Sequence, residues 1–144
     1  MNWDVALVLH AGVTWLLCGL IWFVQVVHYP LFAAVGNEAF VAYEREHCRR
    51  IAWIVLPAMT SEAALAIWIW WFSPPAHVAT ATFGAAALGA VWITTFLIQV
   101  PCHRRLSVAA DPAAIRWLIQ SNWLRTAAWS SRGIAAAWLL TNRG

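Results

Sequence analysis

His28, His47 and His103 place three imidazoles in a chain of which only 10% is charged, and Arg50 and Arg125 accompany them. Three imidazole nitrogens suit copper, iron or zinc, with one position left open for substrate or oxygen. A haem held by two of the three is an alternative, since a four-helix bundle can house one. Without a metal, the same rings can work as acid/base groups, because an unperturbed imidazole titrates near pH ~6.5. Arg50 and Arg125 can hold a carboxylate, enolate or phenolate oxygen, or else reach outward to lipid phosphate. Gln25, Tyr29, Tyr43, Gln99, Asn122 and Trp129 are the neighbours expected to touch a substrate. The plainer reading has these histidines hydrogen-bonding across helices and to interfacial phosphate. The chain has no CxxC, HExxH or His-rich run, so any ligand set must be assembled from separate helices.

One constant shift of 75 residues carries His28, His47 and Arg50 onto His103, Asn122 and Arg125. The same shift lays Gly36-Asn37 over Asp111-Pro112, so the match extends through helix, turn and helix. Two tandem helical hairpins, about 1–73 and 76–144, are expected within a single domain. If an approximate axis along the membrane normal relates them, all four polar groups meet at one central site.

Composition names the solvent of these helices. The chain is 62% hydrophobic with mean hydropathy +0.66, far from the roughly 25% charged residues of a soluble domain. Val5–Val27 and Val78–Val100 carry no formal charge, and each can cross a hydrocarbon core of about 30 Å. Ile51–Phe72 and Thr126–Leu140 are interrupted only by Glu62 and Arg132. The expected fold is therefore all-α, an integral membrane four-helix bundle. The first span lacks the basic start and small-residue cleavage site of a signal peptide.

All nine basic residues are arginine. Seven lie in or beside the loops joining spans one to two and three to four, and the opposite side has only Arg143 near an end. The positive-inside rule makes those loops cytoplasmic and both termini external, in an inner or plasma membrane. The same clustering removes the need for a nucleic-acid partner. Of twelve tryptophans, Trp3, Trp53, Trp68, Trp70, Trp71, Trp117 and Trp123 fall near span ends, where indole suits the headgroup boundary. Trp15, Trp22, Trp92, Trp129 and Trp138 lie deeper and either fill space or wall a pocket for a flat apolar ligand. Cys18 lies within a span, while Cys48 and Cys102 adjoin His47 and His103 on the reducing side, where a redox pair would require the opposite orientation.

Breakers and caps mark the elements. Pro30 sits near the end of the first helix, Ser73-Pro74-Pro75 forms a turn, and Asp111-Pro112 combines an N-cap with proline at the first helical position. A second helix from about Glu38 to Phe72 is about 52 Å long and projects beyond the hydrocarbon. Helical spacing predicts inward polar stripes: Thr14, Cys18, Gln25 and His28; Tyr43, His47, Arg50 and Glu62; Thr95, Gln99 and His103; Asn122, Arg125, Trp129 and Arg132. Ionisable groups at membrane depth avoid lipid, so the stripes should converge. Glu62 and Arg132 are expected to pair across helices two and four, the rival role for Glu62 being a proton-relay or substrate-contacting carboxylate.

Taken in order, Val27-His28-Tyr29-Pro30, the stretch 40–50, Pro57, the stretch 99–106 and the stretch 122–126 resemble the anthrone-oxygenase-like family of small four-span membrane proteins. There the third span ends in a Pro-Thr-Asn-Lys-Arg-Leu-like stretch and the fourth opens with His-x-x-Arg-Thr. Here His103 stands where that family has Asn and Asn122 where it has His, an exchange that keeps both residue types. The resemblance implies oxygenation of a polycyclic aromatic at an activated carbon.

The leading expectation is a membrane oxidoreductase or oxygenase that draws an apolar substrate from the bilayer, an aromatic one by the resemblance. His28, His47 and His103 would bind copper or iron or act as acid/base groups, and Arg50 and Arg125 would stabilise oxyanion charge. A different class of function is a non-catalytic or haem-binding small subunit of a larger membrane complex. Transport is weaker, since four spans need oligomerisation to form most paths. Ala85, Ala86, Gly89 and Ala90 permit close helix contact, within one chain or in a homo-oligomer.

Overall fold

The computed structural model describes residues 1–142; Arg143, used above for orientation, lies outside them. All regular structure among the described residues is helical. It forms four rods: α1 (Trp3–Ala34), α2 (Asn37–Phe72), α3 (Val78–Leu106) and α4 (Pro112–Thr141). The caps match the residues that supply them. Asn2 accepts from the Asp4 amide at the start of α1, and Gly36 is the N-cap of α2. At the start of α4, Asp111 accepts from the amides of Ala113 and Ala114, 2.9 and 3.1 Å away.

Two prolines shape the helices that bear the site. A proline has no N–H and its ring pushes away the carbonyl four residues earlier. Before Pro30 the chain widens into a π-helical turn, Val24–His28, and before Pro101 into another, Thr95–Gln99. In each, the next amide reaches five residues back, Tyr29 to Val24 and Val100 to Thr95. Such a bulge rotates the following residues around the helix and is frequent at functional sites. Here it buries Gln25, Tyr29 and Gln99 in the bundle. The two π turns are offset by 71 residues (95 minus 24) rather than 75, so helix geometry and the His/Arg pattern follow different registers.

Helix α4 is the hub. It packs extensively on α1 and α3, and α2 packs less extensively on both α1 and α3. Gly133 permits the approach of α1 to α4, because a Cβ there would meet the Trp15 ring at 3.3 Å. Three apolar clusters fill the interior: Phe32, Phe40, Leu106 and Leu118 near the Arg-rich turns, Leu17, Ile21, Met59, Val91 and Trp129 in the middle, and Leu7, Ile69 and Leu139 at the far end.

Helices α1, α2 and α3 are long and apolar enough to cross a membrane. The expected fourth span is not of that class. Helix α4 carries Arg116, Arg125 and Arg132 and turns Ser121, Asn122, Arg125, Thr126 and Arg132 into the bundle, so its polarity is directed at its neighbours.

The α4 cap yields a pH prediction. The Ala114 amide, then the Ala113 amide and Arg105, outweigh partial desolvation and hold the Asp111 carboxyl below its ordinary range. A depressed folded pKa means that the cap's contribution is present above the unfolded value and lost only as pH falls through the folded one. Protection of the Ala113 and Ala114 amides against hydrogen exchange is expected to persist through the normal aspartate range and fail below it. Fading already within that range would contradict this, and Asp111→Asn should abolish the pH dependence.

Candidate functional site

A cavity of about 500 Å³ lies inside the bundle. Its walls are apolar, from Leu17, Leu20 and Ile21 on α1, Ile51, Ala52, Val55 and Met59 on α2, and Trp92 and Phe96 on α3, with Trp129 of α4 completing them. It borders the α2/α3 seam. Polar lining groups are few: Tyr29, His47, Cys48, Thr95, Gln99, His103, Arg104, Ser107 and Arg125. An apolar chamber of this size with a few convergent polar groups is the usual form of a small-molecule site.

The three imidazoles do come together. His28 Nε2 and His47 Nδ1 are 2.8 Å apart, and the His47 and His103 ring centres are separated by 5.5 Å. His103 is clamped from both sides, its Nδ1 2.6 Å from Glu44 Oε1 and its Nε2 3.0 Å from the Tyr29 hydroxyl. His28 and His47 use nitrogens on each other, while both nitrogens of His103 are engaged elsewhere. Among the described residues, Glu44, Cys48 and His103 bring donor atoms that all lie within 4.8 Å of one another.

Arg125 is held from below and behind. Its Nη1 donates to Asn122 Oδ1 at 3.1 Å, and its guanidinium lies 5.1 Å over the Trp129 ring. Asn122 Nδ2 donates to Gln25 Oε1 at 2.8 Å, and Gln25 Nε2 donates to the Ile119 carbonyl at 3.2 Å. Gln99 Nε2 donates to Ser121 Oγ at 3.0 Å. Three buried atoms around this end have no partner: Arg125 Nε, Gln99 Oε1 and Glu44 Oε2. Since buried polar atoms are nearly always satisfied, the orphans on Arg125 and Gln99, which line the cavity, indicate where a ligand's polar groups belong.

Two expected site residues, Arg50 and Tyr43, are exposed rather than turned into the bundle. Arg50 does not project among the imidazoles: its side chain is 74% exposed and pairs with Glu46 at 2.5 Å, an exposed partner one turn away. Tyr43 is exposed as well. Both border a second cavity of about 410 Å³ between α1 and α2, which also touches His28 and His47. His47 thus stands between the two chambers. The true inward stripe of α2 runs through Phe40, Glu44, Met59, Glu62, Ala66 and Ile69. Glu44, wholly buried, is the site residue that the charged run around it concealed. A signal existed: Glu44 and Glu62 are 18 residues apart, five turns at about 3.6 residues per turn, hence on one face.

Beneath the cavity, Glu62 pairs with Arg132, as its sequence position suggests, at 2.9 Å. Thr14 Oγ1 and Trp129 Nε1 also donate to Glu62, each at 3.1 Å. Arg132 further donates to the Gly84 carbonyl and approaches His10 Nε2 at 3.3 Å. Glu62 does not line the cavity; its contact with that space is the Trp129 ring it anchors. The cysteines are all free thiols.

Comparison of the chain with protein-family models, curated proteins and solved structures gave no match.

Proposed function

We propose that this protein is a membrane-embedded oxidoreductase of the oxygenase type, acting on an apolar aromatic substrate that carries an acidified C–H beside a conjugated oxygen. The observation that carries the reading is the pairing of an apolar chamber of about 500 Å³ with His47, Tyr29 and the unpartnered Arg125 Nε. In this reading all four helices are embedded. Support comes from three long apolar helices and from large apolar side chains exposed around the bundle, Trp53, Leu97 and Ile134 among them. The Arg-rich turns face the cytoplasm by the positive-inside rule. Substrate enters from the acyl region through the α2/α3 seam.

The chemistry follows from the placement of donors and acceptors. His47 takes the substrate proton on Nε2, while its Nδ1–H is held by His28 Nε2. The electron pair left on carbon spreads to the substrate oxygen. Tyr29 O–H and Arg125 Nε–H donate to that oxygen in a water-poor site where such bonds are strong. With His103 Nε2–H donating to the Tyr29 oxygen, the Tyr29 proton is left for the substrate, and Glu44 holds the His103 ring at Nδ1. Dioxygen is the oxidant. One CH2 and one O2 become one C=O and one H2O, with the substrate losing four electrons and dioxygen gaining them.

Oxygen uptake by the purified protein in lipid nanodiscs, with anthrone as probe, tests the reading. The expected result is catalysed uptake of one O2 per ketone formed, above the spontaneous rate. Uptake no faster than in empty nanodiscs would refute it, and co-purification of a defined membrane partner with such an inert protein would favour the small-subunit role. The cavity also has its own test. Ala52→Trp puts an indole into the chamber, so binding of an apolar aromatic fluorophore should weaken while thermal stability is retained; unchanged binding would place the ligand elsewhere.

A further inference from the structure

The Glu44 carboxylate presents an unresolved charge. It is fully buried, one of its oxygens has no partner, and among the described residues its one ion-pair contact is His103 Nδ1. Its other oxygen receives two donors, His103 Nδ1 at 2.6 Å and Cys48 Sγ at 3.3 Å. Glu44 and Cys48 are one turn apart on α2, so the helix presents both on one face, and His103 meets them from α3. Their donor atoms lie within 4.8 Å of one another, a spread that a single ion with bonds of about 2.0–2.3 Å can draw together.

We infer that Glu44, Cys48 and His103 form a binding site for a divalent first-row transition metal ion. The ion takes the place of the protons now aimed at Glu44 Oε1, and binding displaces both, the Cys48 thiol proton and the His103 Nδ1 proton. A thiolate, an imidazole and a carboxylate together suit zinc, iron or cobalt rather than magnesium or calcium, which prefer oxygen alone. Tyr29 supplies the outer support that a ligating imidazole usually has, through the hydrogen bond to His103 Nε2. Cys48 and His103 both line the chamber, so an ion with three protein ligands keeps a position open toward it. The inference rests on the proposed activity only for the ion's use; binding itself is independent of it.

Cobalt(II) is the probe, titrated into chelator-treated protein in nanodiscs without substrate. Wild type should bind one cobalt per chain with a thiolate-to-cobalt absorption band in the near ultraviolet. Cys48→Ser should lose that band, and Cys102→Ser should keep it, because Cys102 packs with the apolar cluster around Leu106. Tyr29→Phe should weaken cobalt binding about 10–100-fold. Glu44→Gln should weaken it too; should that variant fail to fold, the two cysteine variants still decide. Absence of saturable binding by wild type, or a band that survives Cys48→Ser, overturns the site. Cobalt binding without anthrone oxidation would leave the site standing and refute the activity, whereas oxidation by metal-free protein that binds no cobalt would do the reverse.

Discussion

His47→Ala is expected to lower turnover of an aromatic carbon acid by about 10²–10⁴-fold, the range associated with loss of a positioned general base. His47 is the residue to remove because it alone among the three imidazoles borders both chambers, and its Nε2 is free of the pairing with His28. The loss should fall on kcat with little change in KM, since the substrate oxygen is still held by Tyr29 and Arg125. His28→Ala should cost less, because His28 acts through His47 by orienting its ring. Steady-state rates checked against thermal stability separate these effects. If His47→Ala keeps a rate within about threefold of wild type, far short of general-base loss, the base lies elsewhere.

Glu62→Ala is expected to destabilise the protein by about 3–5 kcal/mol, because it leaves Arg132 buried without a counter-charge. The loss extends beyond the ion pair: Thr14 and Trp129 also lose their acceptor. Trp129 is a wall of the cavity and lies under Arg125, so the surviving fold should also bind apolar ligands less tightly. The double variant Glu62→Leu with Arg132→Met should recover most of the stability, since replacing a whole buried pair with apolar groups is often neutral. Unfolding in mixed micelles measures both. A Glu62→Ala variant as stable as wild type would contradict a structural role for the pair, and a double variant no better than the single would show that other partners of Arg132 dominate.

The strong rhythms of this sequence were easy to read, and the local exceptions were not. Long uncharged runs, the Asp111-Pro112 start and the limit at Phe72 mark the helices, because length, caps and prolines act locally. The inward face of α4 from Asn122 to Arg132 follows from 3.6-residue spacing, and so does the pairing of Glu62 with Arg132. On α2 the same spacing admits two neighbouring faces near the Arg-rich end. Arg50 and Tyr43 were assigned inward, yet the Arg50 guanidinium finds Glu46 one turn away and stays outside. Glu44 was hidden by its charged neighbours although it shares the face of Glu62. The π turns escaped because each depends on a proline several residues later, and they change which side Gln25, Tyr29 and Gln99 present. Ligand pairing is a property of distance, so three histidines in sequence could not disclose that His103 prefers Glu44 and Tyr29.

Proton abstraction in the chamber is the central claim, and it can be isolated from oxygen chemistry. Anthrone is incubated with the protein in deuterated buffer under strict anaerobiosis, and deuterium entering its methylene group is followed by mass spectrometry. The account predicts exchange well above background for wild type, background exchange for His47→Ala and weakened exchange for the Ala52→Trp variant. Wild-type exchange at the background rate, or exchange undiminished in both variants, would contradict it.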